Sequence, residues 1–179
     1  YHEVAEKAHV LVIHACAFDS VPADLGVVFC MQKFNEKYGE THNLSSIESF
    51  LSLNAGPSGM AGHYTTYECA VHGLGDVQSL RRIRREATAK YDPPNLISPP
   101  GCPILEKHNG IVFDESRQSY IMPFMGADAA VVRSSFRGRA MLTGVTVCPQ
   151  YAAYVVVGTW SNMLATSLCG GAVAALAPY

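Results

Sequence analysis

Charge is what this sequence has least of. Only 16% of its residues are Asp, Glu, Lys or Arg, against a usual quarter. Arg139 is the last of them, so the final forty residues carry no charge. A surface helix normally shows a charged face, and this stretch cannot supply one. The net charge of −2 and pI of about 6.4 give no global field for a polyanion, and no nucleic-acid partner is expected. The six cysteines, at 16, 30, 69, 102, 148 and 169, contain no CxxC pair. That spacing argues against a disulfide scaffold or a zinc knuckle and for a reducing, intracellular compartment. No signal peptide or arginine-rich presequence opens the chain, and there is no initiator methionine. Residues 1–8 read as the tail of a helix with no cap before it, so a fragment of a longer protein is the expectation. A glycine-rich phosphate loop is missing as well. Gly73-Leu74-Gly75 lacks a third glycine and follows no clear strand, which rules it out as a dinucleotide fingerprint.

What is present is globular. The 179 residues are 49% apolar, enough for one domain with a real core, or one domain plus part of another. Residues 9–14 (HVLVIH) read as a short, buried strand of the parallel kind. Residues 22–38 read as a helix with Leu25, Val28, Phe29 and Phe34 on one side, closed by Gly39. A strand is expected over 47–54, a loop over 56–62 and a short helix over 65–72 that Gly73 breaks. Asp76 is placed as the cap of a further helix to about 89, with Leu80, Ile83 and Ala87 at helical spacing. Five prolines make 92–103 irregular. A hairpin around 114–118, a helix from Gly126 to about 137, a strand over 151–157 and an apolar helix over 160–177 complete the reading. Strands interleaved with helices give an α/β to α+β class with a mixed sheet and flanking helices.

The stretch HACAFDSVPADLG, residues 14–26, concentrates polar groups where an apolar run ends. Asp19 or Ser20 can cap the helix that follows, Pro22 has the φ a helix start needs, and Asp24 suits the helix dipole. The position just past a strand end is also where open α/β sheets bind ligands. The core of this stretch, CAFDSVPADLG, resembles a signature of the saccharopine dehydrogenase-like oxidoreductases, CGFDS followed by a branched residue, proline, a small residue and DLG. Trans-acting enoyl reductases of bacteria carry a similar stretch. Three more segments match the same family in the same order: residues 47–76 (IESFLSLNAGPSGMAGHYTTYECAVHGLGD), 120–137 (YIMPFMGADAAVVRSSFR) and 149–158 (PQYAAYVVVG).

This resemblance implies an NAD(P)-dependent oxidoreductase acting by hydride transfer on a carbonyl, imine or enoyl substrate, a lipid among the possibilities. Residues 1–26 would be the end of a dinucleotide-binding Rossmann domain, 27–158 a mixed α+β substrate and dimerisation domain, and 159–179 an uncharged apolar helix, which by composition is a core helix, an interfacial helix or a membrane dip and which the resemblance tilts toward membrane contact. It implies cofactor contacts from Phe18, Asp19, Ser20 and Pro22, and a substrate cleft bordered by Gly56, Pro57, Ser58 and Gly59. Ala17 stands where the family has glycine, and a methyl group there costs energy or obstructs a nucleotide. Family members in eukaryotes are associated with lipid droplets and other membranes, which gives lipid-droplet, mitochondrial or other membrane surfaces as expected locations. A small-molecule substrate and a homodimer are the expected partners. The alternative is a non-catalytic membrane or lipid-droplet protein that keeps the fold as an interaction surface. Saccharopine itself carries several charges and wants several cationic contacts; none lies in the two cleft segments, so lysine-pathway activity is not expected.

Other residues have a structural and a chemical reading each. His63 can transfer protons near neutral pH or simply bond within its loop, and with Asp19 it is the candidate acid or base. Asp19 and Asp24 are five apart across a helix start, which is no established pairing for acid catalysis. His14 with Cys16, and Cys69 with His72, lack the further ligands a metal needs, so no metal site is expected. Asp128 reads as an N-cap. Arg81-Arg82-Ile83-Arg84-Arg85 is either a solvated helix face or a contact for phosphate or an acidic membrane.

Overall fold

The computed structural model describes residues 2–13, 16, 20–39, 42–52, 57, 63–75, 77–91, 94–165 and 167–168. Nine elements follow in order: α1 (His2–Lys7), α2 (Ser20–Tyr38), β1 (Ser46–Leu51), α3 (Tyr64–Gly75), α4 (Val77–Tyr91), β2 (Val112–Asp114), β3 (Ser119–Pro123), α5 (Asp128–Thr143) and β4 (Gln150–Gly158). Residues 160–165 and 167–168 are helical as well. The four strands form one sheet in the order β1-β4-β3-β2. The β2–β3 and β3–β4 ladders are antiparallel, while Ile97 bridges Val147 in parallel. The expected mixed sheet with flanking helices is therefore present.

The chain divides into two compact units. The first holds residues 1–49, 95–106 and 124–153. Its core is Val27 of α2, Val132 and Phe136 of α5, and Tyr151 and Ala153 of β4. Met31, Ile47, Leu96, Phe124, Ala129 and Cys148 pack around them. The 132, 136, 140 spacing puts one side of α5 in the core, since residues four apart share a helix face. Helix α2 uses the 20, 27, 31 side. Three residues of the apolar side read from the sequence face solvent: Leu25 is 61% exposed, Phe29 58% and Val28 46%. Helix α2 is apolar on two sides, and packing on α5 chose one of them.

The second unit holds residues 50–94, 107–123 and 154–179. Tyr154 and Ile121, each 2% exposed, are its buried anchors. Phe50 stacks on Tyr154 with ring centroids 5.4 Å apart, and the Arg117 guanidinium lies 3.3 Å from the Phe50 ring centre. The hairpin registers Val112 with Ile121, Phe113 with Tyr120 and Asp114 with Ser119. Its turn is built on Asp114. One carboxylate oxygen accepts from the Ser116 amide at 2.9 Å, the Ser116 hydroxyl at 2.6 Å and the Arg117 amide at 3.2 Å. The other accepts from Arg117 at 2.8 Å.

Several expectations are corrected. Residues 10–13 are not a buried strand: Leu11 is 85% exposed, and no ladder among the described residues pairs with them. A strand needs a neighbour for its N–H and C=O groups, and apolar composition does not provide one. Instead, α1 ends in a reversal. His9 takes φ 53°, its N–H donates to Glu6 and the Val10 N–H donates to Ala5 at 3.0 Å. Asp128 is not the cap of α5; Ala127 is, without a side-chain bond, and its carbonyl accepts the Ala130 and Val131 amides. Helix α5 runs six residues past Arg137, to Thr143, and Gly144, with a φ of 75° and its N–H donating to the Ala140 carbonyl, ends it. Helix α3 continues through Gly73 to Gly75, because glycine weakens a helix without forbidding it. The reading of Asp76 as a cap falls outside the described residues. Gly39, at φ 63°, closes α2 as expected.

Candidate functional site

The polar stretch at the start of α2 belongs to the first unit. Ser20 opens the helix and is 1% exposed, buried far more deeply than a solvent-facing cap. Pro22 lies exposed in the first turn, where its missing N–H costs nothing. Phe18 and Asp19 lie outside the described residues, as do Ala17 and His14. Asp24, one turn on from Ser20, accepts a 2.8 Å hydrogen bond from the Ser135 hydroxyl of α5. This contact crosses 111 residues of sequence and pins α2 to α5.

Ser49 of β1 and Tyr151 of β4 share a 2.7 Å hydrogen bond in the same unit. Tyr151 is 7% exposed. Burial pushes its phenol above the ordinary value, the bond to Ser49 opposes that, and the carboxylates of Asp128 and Asp24 push it up further. A phenol in that setting stays neutral at physiological pH, so it can hold or donate a proton but is a poor base. Asp128 itself is 5% exposed, far deeper than a surface cap. Ser20, Asp24, Ser135, Asp128, Tyr151 and Ser49 thus put hydroxyls and carboxylates on four elements of one unit. Burial also raises the Cys148 thiol, with Arg139 pulling the other way, so this cysteine is no activated nucleophile.

The second candidate segment belongs to the other unit. Pro57 sits exposed in a turn, while Gly56, Ser58 and Gly59 lie outside the described residues. His63 is exposed immediately before α3. Cys69 and His72 are both exposed on that helix, and no group of three His, Cys, Asp or Glu residues among the described ones is arranged to hold a metal. The five described cysteines are free thiols. Sequence reading missed the Ser49–Tyr151 and Asp24–Ser135 pairs. Their partners are about a hundred residues apart, and nothing in local spacing connects them.

An α/β unit that carries the polar stretch on the first turn of a helix, with the three further motif segments in order along the chain, has the sequence layout of a saccharopine dehydrogenase-like oxidoreductase. Comparison with known proteins bears out that resemblance. The chain is 36% identical over 171 residues to the human saccharopine dehydrogenase-like oxidoreductase, covering 95% of this chain and 37% of that protein. An Arabidopsis thaliana protein named "Probable mitochondrial saccharopine dehydrogenase-like oxidoreductase" is 34% identical over 134 residues, 74% of this chain and 27% of its own length. A Caenorhabditis elegans "Lipid droplet localized protein" is 28% identical over 175 residues, 92% of this chain and 38% of its own. The chain therefore spans little more than a third of the human relative. No protein-family model matches it, and no solved structure matches it significantly.

Proposed function

We propose that the whole protein is an NAD(P)-dependent oxidoreductase of the saccharopine dehydrogenase-like kind, and that this chain supplies part of its cleft. The observation that carries this reading is similarity to the human oxidoreductase along 95% of the chain. In this reading residues 1–26 finish a dinucleotide-binding domain and 27–158 form the substrate and dimerisation domain. Phe18, Asp19, Ser20 and Pro22 face the cofactor, and Gly56, Pro57, Ser58 and Gly59 border the substrate. The nicotinamide supplies the hydride chemistry; the chain's own residues bind, orient and hold a proton, with Asp19 and His63 as candidates for the last role. The substrate is a lipid or other small carbonyl, imine or enoyl compound, and not saccharopine. Titration calorimetry of the whole protein with NADPH and with NADH tests this: saturable binding of one of them is expected, and no heat with either overturns it. Turnover of saccharopine would overturn the exclusion of lysine-pathway chemistry.

A second reading concerns location. Trp160, Leu164 and Leu168 recur every four residues on the last helical segment and are 59%, 43% and 67% exposed. An uncharged helix with that stripe suits the boundary of a lipid surface. The mitochondrial and lipid-droplet names of two relatives support an organelle or lipid-droplet surface as the place of action. No helix among the described residues is long and apolar enough to cross a membrane. Removal of residues 160–179 is expected to abolish flotation with neutral vesicles; unchanged flotation would make the segment core.

A further inference from the structure

We infer that α4 is a docking helix for anionic phospholipid, with Arg81, Arg82, Arg84 and Arg85 facing headgroups and Leu80 and Ile83 entering the acyl boundary. The inference deepens the lipid-surface reading and is independent of the hydride-transfer one.

Its basis is the unusual surface of α4. Four of the protein's thirteen Lys and Arg residues fall within five positions, and all four side chains are exposed. The helix contains one acid, Glu86. It lies 3.8 Å from Arg82 with both side chains about 70% exposed, a pair too loose and too wet to offset the cluster. Among the described residues, neither Arg81 nor Arg85 has an acidic partner. Like charges therefore stand three and four residues apart, at 81/84, 82/85 and 81/85, where helix geometry makes them neighbours. Such a helix repels itself, and an anionic surface relieves the repulsion.

The second observation is apolar. Leu80 and Ile83 are one turn apart, 40% and 53% exposed, and Arg84 follows Leu80 by four residues beside the same stripe. A phosphate-bearing polymer would satisfy the arginines but offers no apolar layer for the other two. Single-stranded nucleic acid is gripped by stacking on several aromatic side chains, and α4 holds one aromatic residue, Tyr91 at its last position, six residues beyond the arginines. A bilayer or monolayer with acidic headgroups satisfies both sets at once, with the arginine stems lying along the apolar boundary. The protein's overall charge of −2 makes this basic face a local feature, so docking through it also sets the orientation of its unit.

The test is flotation of the whole protein with phosphatidylcholine vesicles, with and without phosphatidylserine, at low salt. Stronger binding to the phosphatidylserine vesicles is expected, fading as salt rises. The Arg81→Gln/Arg85→Gln variant is expected to lose that increment by about 25-fold, at about five-fold per arginine, and to keep its binding to neutral vesicles. Arg81→Lys/Arg85→Lys is expected to retain most of the increment, which separates charge from a folding defect. Ile83→Asp is expected to weaken binding to both vesicles. Equal binding to neutral and acidic vesicles overturns the inference while leaving the terminal-helix reading intact. A glutamine variant that floats like the parent overturns it, and so does release from acidic vesicles by single-stranded RNA that the same arginines bind.

Discussion

Asp114 shows how much one carboxylate organises. One hydroxyl, one guanidinium and two backbone amides converge on it, and the side-chain bonds from Ser116 and Arg117 hold its pKa down to about 2, below the ordinary carboxylate range. A carboxylate depressed in this way stabilises the fold above its unfolded value near 4, and that contribution disappears as pH falls toward 2. Urea unfolding between pH 5 and pH 2 is therefore expected to show a loss of stability, and Asp114→Asn is expected to flatten it; a parallel slope in the variant would place the acid sensitivity elsewhere. Tyr151 works in the opposite direction. Its raised phenol keeps its stabilising effect below about pH 10 and loses it as pH rises through the folded value. Tyr151→Phe should reduce the alkaline fall in stability while leaving the Ser49 hydroxyl without this partner. For Asp24, the Ser135 bond is the measurable feature: Ser135→Ala is expected to cost about 1 kcal/mol in chemical denaturation. A result near zero would mean that water replaces the hydroxyl at no cost.

At the scale of elements, the decisive facts are which faces are covered. Helix α5 puts Val132, Phe136 and Ala140 into the first unit's core, and Phe136→Ala is expected to cost roughly 3–5 kcal/mol by loss of contacts and the cavity left behind. Circular dichroism during thermal unfolding would register this as a large fall in midpoint. The same helix ends at Gly144 with φ 75°, a conformation that burdens any residue with a Cβ. Open space surrounds that position, so Gly144→Ala should cost about 1–2 kcal/mol from backbone strain alone. Gly126 differs: a side chain there would collide with the Phe124 ring, so its replacement forces an aromatic core residue to move. Helices α2 and α4 share another property. Each shows apolar side chains to solvent, on α2 as a second stripe opposite its packed face and on α4 as a narrow stripe flanked by arginines. Periodicity identified these helices correctly, but it could not say which stripe would be buried.

For the whole molecule, the resemblance covers nearly all of this chain and little more than a third of the human relative. Binding of NADPH or NADH is therefore a property to measure on the whole protein. The sequence by itself determined the elements whose signals are local. The α2 helix with Gly39 behind it, the hairpin around Asp114, and the long β4 strand follow from spacing, turn residues and β-branched runs. It also determined the resemblance, because motif segments are read directly along the chain. Three things were decided only in three dimensions. Residues 10–13 are as apolar as a buried strand, yet strand formation depends on a neighbouring backbone, which no local pattern encodes. Asp128 has the composition of a cap, yet the Ala127 carbonyl starts the helix one position earlier and leaves the carboxylate buried. The pairs Ser49–Tyr151 and Asp24–Ser135 join residues about a hundred positions apart. Local sequence sets propensity and period; burial, and the electrostatics that follow from it, depends on what the rest of the chain brings alongside.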